Sequence, residues 1–495
     1  MIVKPEFNLI CSNKLESKEF LTDSLTLKIT DNKEVGFGKV LEKYATVSVD
    51  KCTISGNELN YEITVYANVV FVDLSGEIRT AFNVGKANKK AKIEGLTEQS
   101  KCLIFATTQS LTIDKMERQD ITFELKYCLF GTIVNKTEEN ALVNADGLYV
   151  QREKINILSG ARCLKTEITL ESTEKLKEKV SLILSSKSKV CDYRATPLLD
   201  RIDIEGKCES AITYLAQEGD NRIITEKFVF PFKESVENVG QESVDEVLLY
   251  FLPTLTTTNA YLGDDESLEI KAKFDLQGLL MRETEQEVIT QVFSKSCKFN
   301  LEREVVPTCN YTGRLFAAKR EVYDVEVDQL NGVVAPLWER AKITSISENG
   351  DKIIVNTEIT VSAILEVDGS YIHREFLIPC EVEVNSDGVL REYLPKVCVK
   401  NVEITCNNSI VNIETEVEVC LYAFYNDVAE IITKMEEGDK KSADYSAIIV
   451  FIAKGGEGEL DLAEKVNLTP DEIKEQETLE FPLKKGQKIV LYRRR

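Results

Sequence analysis

Histidine is nearly missing from this sequence: His373 is the only one in 495 residues. The commonest general base and zinc ligand is therefore confined to one position, and a Ser-His or Cys-His site must be built on His373 or not at all. No Gly-x-Ser-x-Gly occurs. The nearest approach to a phosphate loop, Gly36-Phe37-Gly38-Lys39, lacks a third glycine, a Gly-Lys-Ser end and a following helix, so it reads as a turn. His373, beside Arg374, reads as a strand-face or exposed side chain. Positive charge is also short, with 61 Lys and Arg against 83 Asp and Glu, a net charge of −22. Phosphate backbones and anionic bilayers require clustered cations, which argues against a nucleic-acid partner; Arg493-Arg494-Arg495 could anchor to an acidic surface but reads more often as a solvated tail. No apolar run reaches the length of about 18 residues that a membrane helix needs. Met1 to Glu6 carries an acid and a proline where a leader requires unbroken apolar chain. The expectation is a protein with no integral membrane segment that stays in the compartment where it is made.

Cys-x-x-Cys pairs are absent too. The 13 cysteines are odd in number and irregular in spacing, and Cys128, Cys208 and Cys420 fall inside alternating stretches as small apolar residues. Free thiols in a reducing cytoplasm are expected, with no metal and no cofactor. Carboxylates are so common that their proximity in sequence carries no weight for acid-base chemistry. The acid runs Asp264-Asp265-Glu266 and Glu436-Glu437-Gly438-Asp439 read as solvated loops, and the lone Trp338 as core or interdomain packing.

What is present is repetition. Glu62-Ile63-Thr64-Val65-Tyr66-Ala67 returns as Glu358-Ile359-Thr360-Val361-Ser362-Ala363, 296 residues on, and a weaker copy, Asp203 to Leu215, lies between them. Phe7-Asn8-Leu9, Ile155-Asn156-Ile157 and Phe299-Asn300-Leu301 repeat at intervals of 148 and then 144 residues. A period this long means repeated whole domains. Each copy alternates apolar and polar residues with period two, again in a second block: Ile121 to Tyr127, Leu268 to Leu276, Val411 to Val419. These are half-buried antiparallel strands, with turns at Ser55-Gly56-Asn57, Glu218-Gly219-Asp220, Asn349-Gly350 and Asp368-Gly369. Ser172 to Lys179 is the best helical window in the repeats, and a short one.

After about residue 430 the pattern changes. Lys434 to Asp444 is charged and reads as a linker. Ile448 to Ile452 then predicts a strand, Leu460 to Val466 a helix, Thr469-Pro470-Asp471-Glu472 a capped second helix, and Lys488 to Tyr492 a closing strand.

This βααβ tail resembles a LysM domain. Phe451 to Gly458 stands at the family's first strand and Gly-Asp-Thr turn, Glu459-Leu460-Asp461-Leu462-Ala463 at its Leu-x-x-Ile-Ala helix, and Leu483-Lys484-Lys485-Gly486-Gln487-Lys488-Ile489 at its Gly-Gln-Lys-Leu strand. Glu457-Gly458 replaces the usual Asp-Thr, and Glu477 the usual Asn, so negative charge stands where a sugar groove offers amides and hydroxyls. Asp203-Ile204-Glu205-Gly206, Ile212-Thr213-Tyr214-Leu215 and Phe228-Val229-Phe230-Pro231-Phe232 resemble the strands and Pro-Phe element of SPOCS domains. Phe376-Leu377-Ile378-Pro379 keeps a trace of that element, and Phe82 less. Three such repeats with a divergent LysM are similar to the SPOCS-domain spore coat proteins of Firmicutes.

The expected fold is mainly β: antiparallel sandwich or barrel-like repeats over 1–153, 154–297 and 298–433, a linker at 434–445, and a βααβ LysM-like domain at 446–495. The resemblance implies a non-catalytic sporulation scaffold in the mother-cell cytoplasm at the forespore surface. Its tail would bind a SpoIVA-type coat ATPase or other coat proteins, near Gly456, Glu457, Gly458, Pro470 and Glu477. Edge strands permit self-association. The alternatives are a cell-wall protein binding peptidoglycan or N-acetylglucosamine, and an enzyme acting on glycans through repeat-borne carboxylates.

Overall fold

The computed structural model describes the chain except residues 1–3, 32, 191–192, 199, 218–221, 238–245, 264–266, 387–391, 442–447 and 494–495. The expected turn at Glu218 to Asp220 and the acid run from Asp264 lie outside the described residues. The chain is mainly β, in several antiparallel sheets of which none closes; the arrangement is therefore sandwich-like and not a barrel. Among the described residues no helix is long and apolar enough to cross a membrane.

Strands β1 (Pro5–Thr30), β2 (Phe37–Ser55), β3 (Glu58–Asp73), β4 (Ile78–Lys92), β5 (Lys101–Met116) and β6 (Asp120–Ala145) form two sheets, in orders β1-β6-β5 and β2-β3-β4. The next set is β7 (Tyr149–Glu174), β8 (Val180–Lys189), β9 (Tyr193–Pro197), β10 (Arg201–Ala216), β11 (Ile223–Glu237), β12 (Glu246–Leu262) and β13 (Leu268–Phe293). It forms sheets β12-β13-β7 and β11-β10-β8, with β9 also on β10. Last come β14 (Cys297–Glu326), β15 (Leu330–Asn349), β16 (Lys352–Val367), β17 (Ser370–Asn385), β18 (Glu392–Asn407) and β19 (Ile410–Lys440), in sheets β14-β19-β18 and β15-β16-β17. In each set the first strand pairs with the last, and the middle strands form a meander.

The alternating apolar residues fill the space between the two sheets of each set. Ile63, Val65 and Phe71 meet Ile121, Phe123 and Leu125; Ile202 and Ile204 meet Phe274 and Leu276; Ile359 and Val361 meet Ile413 and Val417. The paired terminal strands then run on past these cores as two-stranded ribbons. A bulge marks the change: the register shifts at Glu19/Leu21 in β1, at Leu280/Arg282 opposite β7, and at Tyr311/Gly313 in β14. Gly160 in β7 and Gly313 in β14 hold φ of +64° and +109° there, a backbone that glycine adopts without strain.

The ribbons cover one another. β1, β7 and β14 each touch the other two, and so do β6, β13 and β19. Three apolar layers result: Leu15, Leu158, Leu279 and Phe424; then Ile10, Ile157, Val288, Val306 and Ile431; then Leu142, Ile289, Ile432 and Met435. The apolar-Asn-apolar triplets of the sequence lie in these ribbons, which is why they share a period.

The meander sheets meet at a second junction, where Leu41, Val70, Leu184, Leu215, Leu337 and Ile364 close a core with Trp338. Lys187 of β8 is buried here against the carboxylate of Glu42 in β2, their side chains 9% and 2% exposed. Its ammonium lies 4.6 Å from the Tyr44 ring centre and 5.9 Å from that of Trp338. Burial pushes Lys187 well below the usual lysine range, and Glu339 opposes that shift. Lys189 pairs with Glu209 at 3.1 Å and with Glu339, and the Arg340 guanidinium donates to the Thr108 carbonyl at 3.0 Å.

Several expectations change. Lys434 to Lys440 is no linker but the end of β19, paired with the start of β14 from Glu302↔Lys434 to Cys297↔Lys440. Its charges line the solvent side while Met435, 9% exposed, joins the ribbon core. The acid run from Glu436 to Asp439 belongs to that strand and not to a loop. Ser172 to Glu174 extends β7, paired with Leu268 to Ile270, so the helical window is overridden by sheet pairing. The boundaries expected after 153, 297 and 433 fall inside β7, β14 and β19, because the chain passes between sets in short turns at 146–148 and 294–296. Cys398 is disulfide-bonded, against the expectation of free thiols throughout, while the 11 other cysteines among the described residues are free.

Replacing Lys187 by Met strands Glu42 as a lone buried carboxylate and should lower stability by about 3 to 5 kcal/mol, most of it recovered by adding Glu42→Leu. Chemical denaturation followed by the fluorescence of Trp338, the only tryptophan and a resident of this junction, measures both. A single-variant loss below about 1 kcal/mol would show that the pair does not help to join the first and second sets.

Candidate functional site

The tail comprises β20 (Ile448–Ile452), α1 (Glu459–Val466), α2 (Pro470–Lys474) and β21 (Lys488–Tyr492), with β20 and β21 antiparallel. Its helices are fixed by their first turns. Glu472 N donates to Thr469 Oγ1 at 3.1 Å and Thr469 N donates to Glu472 Oε2 at 2.8 Å, a reciprocal cap ahead of Pro470. In α1 Gly458 has no side chain to offer, and Asp461 Oδ2 accepts from Gly458 N at 2.9 Å.

In each helix the second oxygen of that same acid reaches the body of the molecule. Gln291 Nε2 donates to Asp461 Oδ1 at 3.0 Å, and Lys295 Nζ meets Glu472 Oε1 at 2.6 Å. Tyr149 Oη donates to Asp471 Oδ2 at 3.1 Å. Phe293 enters the tail's own core beside Leu460 and Leu462, with Lys441 Nζ 4.4 Å from its ring centre. The two helix starts thus sit on the end of the β7–β13 ribbon. The crevice left there, about 90 Å³ between Phe293, Cys297 and Leu460, is well below the roughly 300 Å³ at which small-molecule sites begin.

The five residues expected at a partner contact are split by this arrangement. Glu457 is buried: its carboxylate accepts from Lys454 N and Gly455 N, each at 2.9 Å, and from Lys465 Nζ at 3.3 Å. The amide donors, that of Lys454 first, draw its carboxyl down to about 2. Gly456 N donates to Leu483 O and Leu483 N to Glu457 O, both at 2.9 Å, so this loop is stitched to the chain leading into β21. Pro470 is buried at the start of α2, and Gly458 is half-buried, a Cβ there standing 3.8 Å from Gln151 of the body. Gly456 is exposed; Glu477 is half-buried, its N–H donating to Ile473 O at 3.0 Å. Glu457 and Pro470 are therefore buried within the tail, and of the five Gly456 is the most open to solvent. The sequence pattern missed another surface, the outward side of β20 and β21.

His373 is also not exposed. Its Nε2 lies 2.8 Å from Ser362 Oγ across β16 and β17, and 4.0 Å from Glu375 Oε1 on the same nitrogen. Ser362 is fully buried, and burial, then the nearby Lys43, drops the imidazole to about 4. A serine closed to solvent, with the carboxylate on the wrong side of the ring to orient it, is a strand-face polar pair and not a nucleophile. Burial likewise pushes the thiols of Cys102, Cys128, Cys208 and Cys309 up to about 12, which keeps them protonated.

Two wider hollows bear on glycan chemistry. A cleft of about 440 Å³ between β5, β6, β15 and β18 is lined by Phe105, Phe130, Ile343 and Leu394, with Glu19 its one carboxylate. An open depression of about 610 Å³ on β16 and β17 holds Glu321, Glu358 and Glu381. Glu321 pairs with Lys319 at 2.6 Å and Glu358 with Lys342 at 2.7 Å, in solvent. Neither hollow pairs a desolvated acid with an ionised one, the arrangement that glycoside hydrolysis uses. Compared with protein-family models, with curated proteins and with solved structures, the chain matches none.

Because the folded carboxyl of Glu457 is held below its unfolded value, its contribution to the tail is complete above about pH 4.5 and is lost as pH falls toward 2. The Gly455 amide resonance, read in glycine-labelled protein, should titrate with a midpoint near 2. In Glu457→Gln that titration should vanish. A midpoint at the ordinary glutamate value would mean that the loop amides do not hold this side chain.

Proposed function

We propose that the three two-sheet sets are copies of one SPOCS-like domain, that β20 to β21 is a divergent LysM-like domain, and that the chain is a non-catalytic scaffold of the spore envelope. On this reading it resembles SipL, the spore coat morphogenetic protein, and its tail ties the coat to a SpoIVA-type ATPase at the forespore surface. The observation that carries it is the convergence of three sandwiches of one strand order on common apolar layers, with the tail seated at the ribbon end through both helix caps. Such a body is a rigid mount. The buried pair Lys187 and Glu42 is engaged in holding two of the sets together, and the loops of the tail are occupied by their own backbone.

The charge pattern supports a protein partner over a sugar. Where a LysM groove offers a Thr hydroxyl and an Asn amide the chain has Gly458 and Glu477, and Glu457 is consumed internally. Removing residues 446–495 should abolish capture of the chain by the purified coat ATPase, while leaving the Trp338 fluorescence of the body unchanged. Retained capture would sink the docking model. Co-sedimentation of the full chain with purified peptidoglycan, lost on the same deletion, would favour the cell-wall reading instead.

A further inference from the structure

Resting on that reading, we infer that the tail grips its partner through the outer face of the β20–β21 sheet, and that the partner presents an apolar strip edged by carboxylates. The two strands alternate as a half-buried pair should. Ile449, Phe451, Ile489 and Leu491 turn toward α1 and α2 and pack in the tail core. Ile448, Val450, Ile452, Val490 and Tyr492 turn outward and are 58%, 56%, 63%, 38% and 56% exposed. The register sets them side by side, Ile448 opposite Tyr492 and Val450 opposite Val490. Single exposed apolar side chains are ordinary, but five adjoining ones on a pair of five-residue strands form a patch of the kind that another surface covers.

Charge says what kind of surface. Every carboxylate of the tail lies between Glu457 and Glu480, on the helices and their connections. Several of them face the body, through Asp461, Asp471 and Glu472, and Lys465 and Lys474 are paired with Glu457 and Glu459. The four remaining lysines collect on the sheet side, while Arg493 donates to the Val466 carbonyl of α1 at 2.7 Å. Lys488 stands on the outer face opposite Ile452, and Lys454, Lys484 and Lys485 are exposed at the end of the same sheet, where Lys485 Cβ lies 3.1 Å from the Cβ position of Gly455. None of these four lysines has an ion-pair partner among the described residues. An apolar face rimmed by unpaired lysines, on a chain of net charge −22, is complementary to an acidic protein surface, and the rim would steer such a partner onto the strip. Flat rows of Ile and Val are also what sheets use to pack on other protein layers.

The test uses the full-length chain and the purified coat ATPase. Ile448→Thr, Val450→Thr and Val490→Thr together keep β-branched shape and strand propensity while removing the apolar strip. They should weaken binding by about tenfold or more. Lys484→Glu with Lys488→Glu should weaken it too and flatten its dependence on salt. Glu477→Gln, on the loop side, should bind as the wild type does, and thermal melts of all three should match it. Unchanged binding in the threonine variant, with loss in Glu477→Gln, would overturn the sheet-face assignment while leaving a tail-borne contact in place. Wild-type chain that fails to bind the ATPase at all would sink both. Two further results would also overturn the inference, each with ATPase binding intact. One is loss, in the threonine variant, of co-sedimentation with vesicles of phosphatidylglycerol and phosphatidylcholine in equal parts. The other is loss of a dimer seen by light scattering.

Discussion

Each of the three sets closes by pairing its first strand with its last, along most of their length. That one pairing decides both how the sets are joined and how they meet. It brings both ends of a set to the same place, so the chain passes to the next set in a turn of three residues and all the turns lie at one end. It also forces a two-stranded ribbon to project beyond the sandwich that generated it. A lone ribbon is marginal in water, since neither face is covered. Three of them facing one another solve the problem, and Ile10, Ile157, Val288 and Ile431 are apolar because they are interior to the assembly and not to any one sandwich. The tail finds its seat for the same reason: Tyr149 and Phe293 begin and end the second set, so its turn end presents two aromatic rings 6.2 Å apart.

Much of this was legible in residue order. The central strands β3, β10 and β16 coincide with the repeated alternating blocks, and β20, α1, α2 and β21 fall within a residue or two of their sequence boundaries, because caps and alternation act locally. Long strands were harder to read. Lys434 to Lys440 looks solvated because one side of it is; the alternate residue Met435 is a weak signal until β14 lies beside it. Ser172 to Lys179 has the composition of a helix, and pairing with Leu268 to Ile270 makes Ser172 to Glu174 extended.

The candidate contact residues divide along the same line. Gly458 and Pro470 were recognisable as loop and cap positions, and both have those local roles. Glu457 was read as a negative charge offered outward, but its oxygens turn inward to amides two and three residues before it, a geometry that residue type alone does not reveal. For β20 the continuous run Ile448-Ile449-Val450-Phe451-Ile452 is what a strand buried on both faces looks like. Two short helices are enough to cover one face, and among the described residues nothing in this chain covers the other.

Linking the three sets in one polypeptide has a further effect at the junction of the meander sheets. In an assembly of three identical chains each residue at the junction would appear three times. Here the corners differ, with Glu42, Lys187 and Glu339 supplied by different sets. The same broken symmetry governs valency. Gln291 and Lys295 hold the tail at the turn end of the second set alone, so the body has one seat and carries one tail. Any array assembled from this chain would display a single tail for every three sandwiches, its density set by the footprint of the whole body.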